Sequence, residues 1–290
     1  MKLFFVTKTI FFTLAATSTL PNNCVDGFSN SVARSYEVGP PPTKGGVWVK
    51  DATSTEIRNL VGKSFAGTSE TTGEPICDWI KDHLNKQEWY SEDQHQNTVH
   101  FALGIAIDDV YKQNPLVISK CDDNGELVSA AIVTEYDKEI ESSFRRKLVK
   151  EWREWKSFAK LAVTEGLPDI FAKREYKRDA NHLKKKMDIS MSALSRWHSK
   201  YGPNEKHWYV NMVGVGPQFK GMGYGGELMR KISSLADEAG MMCYLECGAS
   251  NLKFYEKMGY NILSKHVLAD PEDTSREPCV AYVLTRDPQV

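Results

Sequence analysis

Four glycines within six positions, Gly221, Gly223, Gly225 and Gly226, follow one β-prone run, His207–Val215, and open an apolar-periodic helix expected over Met222–Ala239. Glycine weakens a helix, so this cluster marks backbone that must turn sharply and come within hydrogen-bond reach of another group, where a Cβ would obstruct. Unpaired amides and the positive dipole end at a helix start favour an anion, and Lys220 adds a full charge. Leu228, Ile232 and Leu235 form the inward stripe of the helix, and Met241–Cys247 reads as the next strand. Strand, glycine loop, helix and strand together make a βαβ-like unit that binds at the helix N-terminus. A short helix over Asn251–Met258 follows, stopped by Gly259 at the expected C′ position, then strands at Tyr260–Val267 and Cys279–Leu284.

Three anion-binding loops compete for this pattern. A Walker loop is excluded, because no Lys-Ser or Lys-Thr follows the glycines. The dinucleotide fingerprint GxGxxG is satisfied by Gly221, Gly223 and Gly226, and Glu246 ends the next strand about 20 residues on, as a ribose-binding acid would. Against it, Gly216–Lys220 separates strand from glycines, and too little chain remains for a second mononucleotide half. An NAD-type oxidoreductase therefore stays as an alternative.

Upstream, Val47–Val49 is β-prone and Thr53 with Glu56 forms a capping-box signature for a helix carrying Ile57, Leu60, Val61 and Phe65. Residues 76–113 are mixed and helical in part, with Ile76, Trp79, Ile80 and Leu84 spaced for one face. Pro115–Lys120 and Leu127–Thr134, joined through Asp122–Gly125, form a β-hairpin. Residues 141–206 hold seventeen Lys or Arg against nine Asp or Glu, with Phe144, Leu148, Trp152, Trp155 and Leu161 near helical spacing. Such a block suits a polyanion, but cations around a clear apolar stripe read first as a solvated helical insertion, and no nucleic-acid partner is expected.

The chain has 290 residues and a net charge of −1, an ordinary globular composition. Its six cysteines lack CxxC pairs and neighbouring histidines, which suggests neither a metal site nor a disulfide framework. Cys243 and Cys247, four apart on one strand, stand roughly 13 Å apart and cannot bridge. Residues 1–25 contain no acid, carry Lys2 and Lys8, and hold an apolar stretch from Ile10 to Ala16 that is short for a membrane span. They read as a targeting segment, secretory or organellar, against a disordered tail in an otherwise cytoplasmic protein. Residues 26–46, rich in Pro and Gly, read as a linker, and 47–288 as the folded domain.

Val213-Gly-Val215-Gly-Pro217-Gln-Phe-Lys220-Gly-Met-Gly223-Tyr-Gly225-Gly226-Glu-Leu228 resembles the acetyl-CoA motif of the GNAT superfamily of N-acetyltransferases. Gln218, Gly221 and Gly223 fill the defined positions of R/Q-x-x-G-x-G/A. A second motif stands in its place: Leu245-Glu246, Asn251, then Phe254-Tyr255-Glu-Lys-Met-Gly259-Tyr260. The resemblance spans Val47–Leu284 and is specific over 207–260. It implies an α/β fold, a twisted mixed sheet of six to seven strands with helices on both faces, interrupted here by a long insertion between strands three and four. It also implies acetyl-CoA as cosubstrate, bound by Val213, Val215, Gln218, Lys220, Gly221, Gly223, Gly225, Gly226 and Asn251, and no metal. The fourth and fifth strands are expected to splay at a bulge near Gly214 and Val215, exposing amides to pantetheine and thioester. Tyr255 matches the tyrosine that protonates the departing sulfur.

Acyl transfer also needs a deprotonated amine. Glu246 is the first candidate base, His207 the second, and a water relay is equally allowed. Trp79, Trp152, Trp155, Trp197 and Trp208 line an acceptor pocket or, more simply, the core. Asp108 and Asp109 meet a cationic amine or end a helix in solvent. The expected reaction is acetyl transfer to a primary amine of a small molecule or protein. A silent CoA-binding module is the remaining alternative, and nothing in the sequence sets the oligomeric state.

Overall fold

In a computed structural model, residues 47–49, 52–67, 73–84, 87–122, 125–137, 156–272 and 277–289 are described. The expected targeting segment and linker, the hairpin tip at Asp123 and Asn124, and Phe144, Leu148, Trp152 and Trp155 lie outside them.

Strand β1 is Val47–Val49 and helix α1 is Ser54–Ala66. The capping box forms as read: the Glu56 amide donates to Thr53 Oγ1 at 3.2 Å, and the Thr53 amide donates to Glu56 Oε2 at 2.8 Å. Helix α2, Pro75–Lys81, begins with Pro75 at a position whose amide is an orphan in any case, and Glu74 caps it from before. Leu84 lies past its end. Helix α3 is Glu92–Tyr111, and strands β2 (Leu116–Cys121) and β3 (Leu127–Tyr136) make the antiparallel hairpin.

Between β3 and β4 the chain is helical where described: α4 at 156–164, α5 at Asp169–Ala172 and α6 at Lys177–Tyr201. Then come β4 (His207–Val215), α7 (Tyr224–Ala239), β5 (Cys243–Gly248), α8 (Leu252–Lys257), β6 (Asn261–Leu268) and β7 (Cys279–Arg286).

The seven strands form a mixed sheet in the order β1-β2-β3-β4-β5-β7-β6, antiparallel throughout except for β4 and β5. A single parallel pair is not the doubly wound sheet that the dinucleotide reading requires. Helices α1 and α3 cover one face, packing Ile57, Leu60, Val61 and Ile107 on Ala130 and Ile132. Helix α7 covers the other, setting Leu228, Met229 and Ile232 against Ala131, Val133, Leu245 and Leu284. Strand β3 is thus buried on both faces, which is why its sequence is a continuous apolar run rather than an alternation.

The insertion is fastened by its charges. Asp108 pairs with Arg58 at 3.9 Å and with Lys160 of α4 at 3.3 Å, and Arg58 also pairs with Glu165. Asp108 and Asp109 are both 4% exposed, so neither ends a helix in solvent, and Asp108 is spent on structure. Lys185 on α6 reaches Asp270 at 2.8 Å, while Lys186, fully buried, donates to the Trp79 carbonyl at 3.1 Å. Trp79, Trp197 and Trp208 are core residues.

A bulge in β4 falls elsewhere than expected. Met212 pairs Ile132 and Val210 pairs Val133, leaving Asn211 as the extra residue rather than Gly214 or Val215. Asn211 is held there by Nδ2, which donates to Thr134 Oγ1 at 2.8 Å. One extra residue inverts the alternation, so Trp208 and Val210 before it and Val213 after it all pack on the α7 side.

Candidate active site

Strands β4 and β5 are paired only at Trp208–Cys243 and Tyr209–Tyr244. Beyond these two rungs the ladder stops, and the remaining lengths of the two strands are not paired with each other, leaving a gap in the ladder. The expected splay is present, beginning at Tyr209 rather than at Gly214. At its far end Val215 donates its amide to Ser64 Oγ of α1 at 3.2 Å. That hydroxyl occupies one of the amides expected to face the thioester, and the sequence carried no sign of it.

The turn leaving β4 runs through a short 3₁₀ segment, Pro217–Phe219, into the glycines. Gly221 (φ 82°) and Gly223 (φ 92°) are both left-handed, a conformation that side-chain-bearing residues avoid. A Cβ at either would point into open space, so the close approach is toward whatever docks from outside. Gly223 is the N-cap of α7 and provides no side-chain cap, leaving the first amides of the helix to a ligand. Lys220 and Gln218 are exposed on the same turn, with Gln218 Nε2 donating to Glu126 at 3.3 Å. A Cβ placed on Gly225 would lie 3.5 Å from both Phe254 and Val215, which shows that the turn, the end of β4 and helix α8 meet. Uncapped amides and an adjacent cation suit a diphosphate, and the gap beside them suits an extended arm.

Helix α8 carries the other expected residues. Asn251 sits at its N-cap but makes no side-chain cap bond, so the helix-start role does not account for it. Tyr255 packs against Phe254 and Tyr260, and burial pushes its phenol well above the usual range, with Cys247 and Glu74 adding repulsion to the anion. A phenol held protonated is a proton donor.

Glu246 lies two residues beyond the last β5 rung. Its two oxygens accept from the phenols of Tyr209 and Tyr244, each at 2.7 Å. Burial pushes its pKa up to about 7, against the lowering effect of the two phenols. Each oxygen keeps a second lone pair for another donor. His207 is less available. Its Nδ1–H donates to the Glu205 carbonyl at 2.9 Å, so its Nε2 accepts from His198 Nε2–H at 2.9 Å. Both nitrogens are engaged and the ring is fully buried, which removes His207 as a base. Together with Tyr136, the two histidines floor the closed end of the gap.

A second carboxyl was not singled out from the sequence. Glu74, at the start of α2, accepts from the amides of Ile76 at 2.8 Å and Cys77 at 3.0 Å, and burial pushes it up to about 7. It comes to the end of β5 because Gly248 has no Cβ, which would stand 2.5 Å from Pro75. Glu74 acts electrostatically on Cys247 at the end of β5 and on Tyr255 of α8, raising both. The only signal in the sequence is a Glu-Pro helix start, which reads as a cap.

Residues 190–260 match the model of the acetyltransferase (GNAT) family. Among solved structures, the chain is similar to a histone acetyltransferase HPA2 and related acetyltransferase from Corynebacterium glutamicum, with 15% identity, a TM-score of 0.44 and coverage of 85% of this chain and 98% of that one. It is similar also to arylalkylamine N-acetyltransferase 2 from Aedes aegypti, with 13% identity, a TM-score of 0.46 and coverage of 85% and 100%. Chaetomium thermophilum Naa20, in complex with a bisubstrate analogue, shares 17% identity over 65% of this chain and 72% of that one, with a TM-score of 0.35. The matched segment contains the glycine turn, the parted strands and the Tyr255 helix, and over it this chain is similar to the acetyltransferase (GNAT) family.

Proposed function

We propose that the chain transfers an acetyl group from acetyl-CoA to a primary amine. The observation that supports this reading most is the juxtaposition of an uncapped, glycine-shaped helix start with a two-rung strand pair that parts beside it. When bound, acetyl-CoA supplies a thioester whose carbonyl carbon can be attacked and whose sulfur can leave. The amides at the start of α7, with Lys220 and Gln218, hold the diphosphate. Val213 with its main-chain groups and Val215 with its carbonyl border the gap, the Val215 amide being held by Ser64, and Asn251 offers a polar side chain to the arm.

Glu246 takes the proton of the acceptor ammonium, directly or through one water. A carboxyl poised near neutrality is divided between its two forms at the operating pH, as a general base requires. Glu74, poised alike, is a second carrier for that proton. Attack by the neutral amine forms a tetrahedral oxyanion, which main-chain amides of β4 stabilise. Collapse of that intermediate expels the thiolate, which Tyr255 protonates, while the nitrogen gives up its second proton, through water, to restore the tyrosine.

The test is turnover of acetyl-CoA by residues 43–290 against pooled primary amines, followed by release of free thiol. Amine-dependent thiol release is expected. Coenzyme A binding without any release would mark a silent binding module, and absence of binding would end the reading.

A further inference from the structure

We propose that Lys120 is a positioning residue for the cofactor turn, cancelling the charge of Glu227 beneath the diphosphate site. This rests on the proposed use of that turn for coenzyme A. Lys120 belongs to β2, remote in sequence from every motif, and its side chain is fully buried. Burying a lysine is costly unless the ammonium is met by charge and hydrogen bonds. Lys120 Nζ stands 2.6 Å from Glu227 Oε2, and 5.0 Å from the centre of the Tyr224 ring. Tyr224 and Glu227 are the first and fourth residues of α7, immediately after the Gly223 cap.

The sheet directs Lys120 to that place. Lys120 pairs with Ser129, and Ser129 pairs with Val215. Residues directly opposite in a sheet share a face, so this row runs beneath the first turn of the helix. Its last member, Val215, is the residue that a Cβ on Gly225 would touch at 3.5 Å.

Electrostatics then assigns the role. An acid in the first turn favours an empty helix, because it complements the dipole, but it opposes an anionic ligand at the same amides. Left alone, Glu227 would repel the diphosphate that the turn is shaped to hold. A buried cation on the far side cancels this charge without competing for the ligand, which leaves Lys220 and the amides to face it. The pair also pins the helix start to the sheet row that ends at the gap.

Titration calorimetry with coenzyme A and with 3′-phospho-ADP, which keeps the diphosphate and lacks pantetheine, tests this. In Lys120→Met both ligands should bind about tenfold more weakly, the size of one charge near a helix end, while kcat at saturating acetyl-CoA holds. Lys120→Met/Glu227→Gln should return to within about twofold of the parent, since charge and not shape is restored. Glu227→Gln alone should bind no more weakly than the parent. Should Lys120→Met fail to fold by circular dichroism, the double variant and Glu227→Gln carry the test. Parent-like binding in Lys120→Met, a double variant as weak as the single, weakened binding in Glu227→Gln, or parallel loss of kcat would overturn the proposal. A parent protein that binds neither ligand would instead overturn the function reading on which it rests.

Discussion

The two sides of the gap are built on different principles. On the side proposed for the cofactor, residues 207–260 form a contiguous run in which strand, turn and helix follow one another, and its key property is backbone shape. On the side proposed for the acceptor, His198 from α6, Tyr209 from β4 and Tyr244 with Glu246 from β5 meet from separate elements, and the key property is side-chain chemistry. Backbone shape is imposed by glycines at fixed spacing and survives as a motif. Convergent side chains leave none, because their spacing in the chain is set by the lengths of intervening elements.

That contrast can be broken or sharpened by substitution. The largest effect is expected from Gly223→Val, which forces a β-branched residue to φ 92° and fills the approach to the helix amides. Coenzyme A binding by calorimetry should be lost, and retained binding would show that the turn is not the cofactor's seat. Next, Tyr255→Phe should lower kcat about a hundredfold with coenzyme A affinity unchanged. Equal losses in both quantities would reduce Tyr255 to packing.

Third, Glu246→Gln should lower kcat/KM about tenfold and abolish the limb of the pH profile that rises through a pKa of about 7. A profile that keeps this limb would pass the base role to Glu74. The same group carries a stability signature. Its folded pKa is raised above the ordinary 4.5, so its contribution is present below that value and is lost as pH rises toward about 7. Thermal melts of Glu246→Gln should therefore decline less over that window than those of the parent. The smallest effect on the site is expected from Arg58→Met, which removes a buried cation that Asp108 shares with Lys160 and that also pairs with Glu165. Stability should fall by about 3 kcal/mol while kcat and KM hold, and a change in KM for the amine would tie the insertion to acceptor binding.

Much of the fold was legible. The capping box of α1, the β2–β3 hairpin, the full extent of β4 and the helical character of the described part of the insertion, from residue 156, each follow from a local rule that tertiary structure did not override. The β4 bulge was displaced because the sequence signal, glycine, reports where a chain can bend. The bulge itself lies at Asn211, whose amide finds Thr134 across the sheet, a partner no local pattern reveals. His207 illustrates the same limit: a histidine at a strand start suggests chemistry, and only its neighbours His198 and Glu205 show both nitrogens engaged. Glu74 was passed over because a cap and a poised carboxyl have one sequence signature, and burial alone separates them.

A two-rung seam also divides the molecule mechanically. Strands β1 to β4 form one antiparallel ribbon and β5 to β7 another, and hardly any main-chain bonding joins them. Cohesion across the divide is left to side chains: Leu228, Met229 and Ile232 of α7 rest on both ribbons at once on one face, and the Tyr209–Glu246 hydrogen bond and His198 of α6 bridge them on the other. The helix whose N-terminus is proposed to hold the cofactor thus also helps to clasp the halves. Amide exchange should resolve the two ribbons as distinct cooperative units, and a ligand gripping the first turn of α7 should slow exchange in both together.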